Sequence, residues 1–174
     1  MAKRATAKPD KAASGTNRPL VAIVVSRYNE SVTGPLLAGA LQQAGLLRAD
    51  TETFEAAGAF EILGTAAAVA ATGRFAGILS LGCIIKGETK HDDYLAHAVT
   101  SGLGQLTVAT GVPVSLGVLT VDSQAQAMAR AGGKHGNKGA EAMAALVSMI
   151  HTCGAIRAGK AAPSVGARPD KLKL

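Results

Sequence analysis

Short, unbroken apolar runs alternate along this chain with segments whose apolar residues recur at helical spacing, and that alternation limits the fold more than any other feature. The run LVAIVV at 20–25 is continuous and largely β-branched, the pattern of a strand covered on both faces. Asn29 stands where a helix cap belongs, and SVTGPLLAGALQQAG is helix-periodic up to Gly45. TETFEAA at 51–57 alternates as a second strand, and FEILGTAAAVAATG reads as a helix that ends at Gly73. AGILSLGCII gives a third strand, DDYLAHAVTSGLGQLTVATG a third helix and VPVSLGVLTV a fourth strand. SQAQAMARAG and NKGAEAMAALVSMI follow as a short and a longer helix. Strand and helix in repeated alternation predict an α/β fold, a three-layer sandwich with a four-stranded parallel sheet between helices.

At 174 residues the chain has the length of one ordinary domain. Its apolar content of 48% rests on alanine, and with 3% aromatics and no Trp small residues must fill the interior. Few large anchors per chain point to further burial through a homo-oligomer. The formal charge of +6 is unevenly placed. Lys3, Arg4, Lys8, Lys11 and Arg18 against Asp10 make one end +4, and Arg157, Lys160, Arg168, Lys171 and Lys173 against Asp170 make the other +4, which leaves −2 for the body. Both ends are poor in large apolar residues, so the reading is two disordered basic tails, 1–18 and 154–174, around a single domain at 19–153. A basic stripe with interleaved aromatics is missing, so no nucleic-acid partner is expected. With no leader and no run of about 18 uninterrupted apolar residues, the expectation is a cytoplasmic protein without a membrane partner. Cys83 and Cys153 have neither metal nor redox spacing, and Cys83, inside an apolar run, reads as a small buried thiol.

In a parallel sheet of this kind ligands bind outside the carboxyl ends of the strands. Those four exits read SRYNE, AAGAFE, KGETKH and TVDS. They bring an aromatic with an amide, a glycine turn with a carboxylate, and a cationic turn with a histidine. Neither G-x-x-x-x-G-K-[ST] nor G-x-G-x-x-G follows a strand, which removes the usual nucleotide cradles. GETKH still suits one phosphate: Gly87 lets the backbone approach, amides at a helix start face an anion, and Thr89 adds a hydroxyl.

Each residue also has a plainer reading. Tyr28 could pack at a strand end, Glu61 could serve the helix dipole, and His91 could be a surface residue at a helix start. RAGGKHGNKG at 130–139 could be a glycine-rich break between helices, although Arg130, Lys134, His135 and Lys138 make it a second cationic patch. The convergence of exits lifts His91 above its plainer reading, while for Tyr28 and Glu61 both readings stay open on the residues alone.

RYNESVTGPLLAGA, AGAFEI, LGCIIKGETKHDDYLA and GVLTVDSQAQAMARAGGKHGNKGAEA, in this order and spacing, resemble lumazine synthase. The resemblance covers about residues 20–150 and implies a flavodoxin-like sandwich. It implies the riboflavin-biosynthesis step that condenses 5-amino-6-(D-ribitylamino)uracil with 3,4-dihydroxy-2-butanone 4-phosphate, releasing phosphate and water. It implies no cofactor and no metal. By position, Tyr28 resembles the aromatic that stacks on the pyrimidine, with Asn29 beside it. Ala59, Phe60 and Glu61 resemble the segment that holds the ribityl chain, and Ile84 and Ile85 the strand end beside the heterocycle. Gly87, Glu88 and Thr89 match the phosphate-binding turn, His91 the proton-transfer histidine, Arg130 the phosphate-binding arginine and Lys138 a lysine lining the site. Leu116 stands where a phenylalanine often flanks the ring.

The resemblance further implies pentamers with sites between adjacent chains, in some members twelve pentamers in a shell, and riboflavin synthase as a partner. Arg130 and Lys138 lie beyond the fourth strand, away from the first three exits, so a head-to-tail ring is the arrangement expected to unite them. A flavin carrier of flavodoxin-like shape would also want an aromatic at a strand exit, and a structural shell subunit would keep the assembly surfaces. Neither needs His91 together with Arg130.

Overall fold

The computed structural model describes residues 18–160. β1 (Leu20–Ser26), α1 (Glu30–Leu46), β2 (Asp50–Ala56), α2 (Glu61–Ala71), β3 (Gly77–Ile85), α3 (His91–Thr110) and β4 (Val114–Val121) follow in turn. After them come α4 (Gln124–Arg130), the short strands β5 (Ala131–Gly133) and β6 (Gly136–Asn137), and α5 (Lys138–Arg157). The four long strands form one parallel sheet in the order β2-β1-β3-β4. This is the flavodoxin-like order, with its switch point between β1 and β3.

Successive side chains of a strand point to opposite faces, and here both faces are covered. Val21, Ile23 and Val25 of β1 join Leu79, Leu81 and Cys83 of β3 in one core with Leu36 and Ala40 of α1 and Met143 and Leu146 of α5. Ala22, Val24 and Ile78 belong to the opposite core, with Ile62, Ala66 and Val69 of α2 and Val99 and Leu103 of α3. The central strands are therefore apolar at nearly every position, whereas β2, at an edge, carries charge. Arg18 pairs with Asp50 at 2.8 Å and Arg74 with Glu52 at 2.6 Å.

Arg18, expected as the last residue of the first tail, is the first described residue and is the partner of Asp50 in the first of these pairs. Residues 154–157, expected in the second tail, are the last turn of α5, and Arg157 there donates to the Gly111 carbonyl. A cation in the last turn complements the helix dipole, which composition alone does not register. Ala158, Gly159 and Lys160 follow as a hydrogen-bonded turn, and residues 1–17 and 161–174 lie outside the described residues. Among the described residues α5 is the one helix long and apolar enough to cross a membrane, and it packs Met143, Leu146 and Val147 into the core against the sheet.

The glycine-rich stretch expected as a break is an antiparallel hairpin of β5 and β6. Gly132 and Gly136 take φ of 115° and 75° there, a region that strains any residue with a Cβ. Asn137 locks the hairpin to the body. Its Oδ1 accepts from the Gly139 and Ala140 amides at 2.9 and 3.1 Å, capping α5, while its Nδ2 donates 2.8 Å to the Pro35 carbonyl of α1. Gly139 lies against the Leu36 carbonyl, closer than a Cβ would allow. Loss of a cap costs about 1 kcal/mol and an orphaned partly buried acceptor about 1 kcal/mol more. Asn137→Ala should therefore lower unfolding free energy by about 2 kcal/mol in denaturant titration, and an unchanged midpoint would show that the hairpin does not depend on this residue.

Candidate active site

The exits of β1 and β2 are laced together by backbone bonds. The Arg27 amide donates to the Ala56 carbonyl at 2.8 Å and the Tyr28 amide to the Ala57 carbonyl at 3.2 Å. Asn29 then turns the chain into α1 with a φ of 61°, a left-handed conformation that Asn tolerates better than most residues. Its side chain does not cap α1, contrary to expectation. Nδ2 donates to the Cys83 carbonyl at 2.9 Å and so ties the first exit to the third. Held from both sides, this turn leaves the Tyr28 ring 71% exposed at the strand end. Packing does not account for it.

The second exit places Phe60, also largely exposed, just before α2, with Glu61 as the first helical residue. Gly58 makes room for that carboxylate: a Cβ there would stand 2.8 Å from Glu61 Oε2. The third exit runs from Ile84 and Ile85 through Lys86 into the turn at 87–90, and α3 starts at His91. The His91 amide donates to the Thr89 hydroxyl at 3.4 Å, and the Gly87 amide to Asp92 Oδ1 at 3.4 Å. Both contacts are long and easily exchanged for those of a ligand.

These three exits surround one cleft of about 890 Å³, within the range of small-molecule sites. Tyr28, Asn29, Ala59, Phe60, Glu61, Ile84, Ile85, Gly87, Thr89 and His91 all line it, so ten of the residues expected from the sequence are brought together. Gly58, Lys86, Asp92, Tyr94, Leu95 and Ala98 line it as well. The last three were legible in principle: positions three, four and seven residues after His91 share its helix face. Cys83 also borders the cleft, but burial pushes its thiol up to about 11, so it stays protonated at neutral pH and is no nucleophile. Among the described residues no group of three or more His, Cys, Asp or Glu could hold a metal ion.

Four expected residues are not among those lining this cleft. Glu88 stands on the turn, exposed. Leu116 sits within the edge strand β4, opposite Ser80 in register and 47% exposed. Arg130 ends α4, donating to the Gln126 carbonyl at 3.1 Å, and lines a separate hollow of about 320 Å³ with Lys134 and His135. Lys138 opens α5 in an exposed ion pair with Glu141 at 2.6 Å. One chain thus has an aromatic and histidine cleft and, apart from it, a basic hollow.

The profile of the family described as 6,7-dimethyl-8-ribityllumazine synthase matches residues 19–153. The chain belongs to that family. A 6,7-dimethyl-8-ribityllumazine synthase of Anaeromyxobacter dehalogenans is 43% identical over 138 residues, spanning 78% of this chain and 85% of the relative. One from Pediococcus pentosaceus is 42% identical over 133 residues, spanning 75% and 85%. The matched region contains all three exits, the hairpin and most of α5. In a lumazine synthase family member the cleft at the switch point and the basic hollow both fall inside the shared domain.

Proposed function

We propose that this chain makes 6,7-dimethyl-8-ribityllumazine in the cleft at the β1, β2 and β3 exits, joining 5-amino-6-(D-ribitylamino)uracil to 3,4-dihydroxy-2-butanone 4-phosphate. The enzyme works in riboflavin biosynthesis on small-molecule substrates, as its family membership establishes. The observation that carries the site is the convergence of Tyr28, Phe60, Glu61, Thr89 and His91 on one cleft. Tyr28 stacks on the flat pyrimidine, and Asn29 fixes the turn that presents it. Ala59, Phe60 and Glu61 take the ribityl hydroxyls, and Ile84 and Ile85 pack beside the ring. The amides of 87–89 and the Thr89 hydroxyl take the phosphate.

The ring amine attacks the ketone carbon and water leaves as a Schiff base forms. Loss of a proton next to the imine lets the phosphate depart with the C–O electron pair. The enol left at the neighbouring carbon tautomerises to a ketone, and the ribitylamino nitrogen closes the second ring onto that new carbonyl with loss of water. Proton transfers dominate, and an imidazole accepts and donates near neutral pH, which suits His91. Charge gathers on the departing phosphate, where a guanidinium acts as a preorganised partner.

In this reading Arg130 and Lys138 reach the cleft from a neighbouring copy. A homo-pentamer closed head to tail supplies each cleft with the next chain's basic hollow; a shell of twelve pentamers is the larger form to look for, and riboflavin synthase, which takes up the product, the partner to look for. The exposed Tyr28, Phe60 and Leu116 support an assembly that covers more apolar surface. A cytoplasmic location and basic tails that take no part in catalysis complete the proposal.

The phosphate role is tested at Arg130. A charge-assisted contact is worth about 1.5–3 kcal/mol, so Arg130→Ala should raise KM for the phosphorylated substrate roughly ten- to a hundredfold. Normal saturation by that substrate would remove Arg130 from the site.

A further inference from the structure

Among the described residues Asp92 is the one acidic residue besides Glu61 to line the cleft, and none of the roles above uses it. It is half-buried in the first turn of α3, where the helix dipole favours a carboxylate. Its Oδ1 accepts the Gly87 amide at 3.4 Å, the very N–H that a phosphate on the 87–89 turn would need. Among the described residues no basic side chain pairs with it. The carboxylate therefore occupies, weakly and reversibly, the position of one phosphate oxygen.

We propose that Asp92 sets the phosphate affinity of the cleft by competing for the Gly87 amide. The inference rests on the reading of 87–89 as the phosphate-binding turn. When phosphate arrives it takes the amide, and Asp92 must swing away, yet its place on the helix keeps a negative charge a few ångströms from the nearest phosphate oxygen's charge. Two like charges about 4 Å apart repel by about 1 kcal/mol even in water, a factor of about five in affinity. The penalty falls equally on the phosphate of the substrate and on the phosphate released. It therefore opposes product retention, and the carboxylate is ready to recap the amide as phosphate departs. Lys86 in the same cleft supplies the opposing positive charge, so the site balances attraction against a built-in competitor.

Titration calorimetry of inorganic phosphate into the full-length assembled protein tests this without depending on turnover. Asp92→Asn keeps the shape and an acceptor but removes the charge, and Asp92→Ala removes both. Each should bind phosphate about fivefold more tightly than the wild type, with the gain shrinking at 0.5 M salt as screening grows. Unchanged or weaker binding in either variant would overturn the inference. Thr89→Val separates this from failure of the underlying reading. If it weakens phosphate binding while the Asp92 variants change nothing, only the competitor is refuted. If Thr89→Val leaves binding unaltered, the turn is not the phosphate site and both ideas fall.

Discussion

Replacing His91 with alanine should lower turnover by about two to four orders of magnitude while an inert pyrimidine analogue binds nearly as well as before. General acid or base catalysis contributes ~10²–10⁴-fold, equivalent to about 3–6 kcal/mol of barrier. His91 is exposed at the first position of α3 and its side chain makes no hydrogen bond within the described residues, so its loss removes no structural contact that would confuse the result. The pyrimidine contacts proposed at Tyr28, Ile84 and Ile85 come from other elements, which is why affinity for the analogue should hold. Stopped-flow or steady-state assays of lumazine formation give the first quantity, and analogue titration the second. Unchanged turnover would take His91 out of the chemistry. A parallel loss of analogue binding would mean instead that it orders the cleft.

How much of this was readable beforehand depended on which physical signal each feature leaves. β1 and β3 announced themselves because strands covered on both faces must be apolar throughout, and their exits could then be found without knowing any contact. Tyr28, Glu61, Gly87 and His91 followed from position alone, since the carboxyl ends of parallel strands share one edge of the sheet. The use made of Asn29 was hidden. Its type fits a helix cap, but a left-handed backbone turns its side chain toward Cys83 instead, and that depends on how close β1 and β3 lie. β5 and β6 were hidden too, because two or three residues per strand are too few for alternation to register. The boundary at 154 was misplaced because composition cannot see a helix continuing through Gly154 to a cation that bonds Gly111. Family resemblance added Leu116 and assigned to the site Arg130 and Lys138, which the residues alone showed only as a second cationic patch, and these are residues that one folded chain keeps out of the cleft.

That separation makes the second large effect the one that bears on the whole account. If each working site takes its cleft from one chain and its basic hollow from the next, the two halves are inherited independently. His91→Ala spoils the cleft and leaves the hollow intact, while Arg130→Ala does the reverse. Each variant assembled alone has only defective sites. Mixed in equal amounts, unfolded and refolded together, they should populate a ring in which about one site in four receives both intact faces. The measurement is the rate of lumazine formation by the co-refolded mixture, at a phosphorylated-substrate concentration no higher than the wild-type KM so that Arg130→Ala alone is nearly idle, compared with each variant refolded separately and with refolded wild type. The account predicts recovery to about a quarter of the wild-type rate per site under random assembly. A mixture that stays as inactive as the separate variants, although it co-assembles, would contradict it and place His91 and Arg130 within the same chain's site.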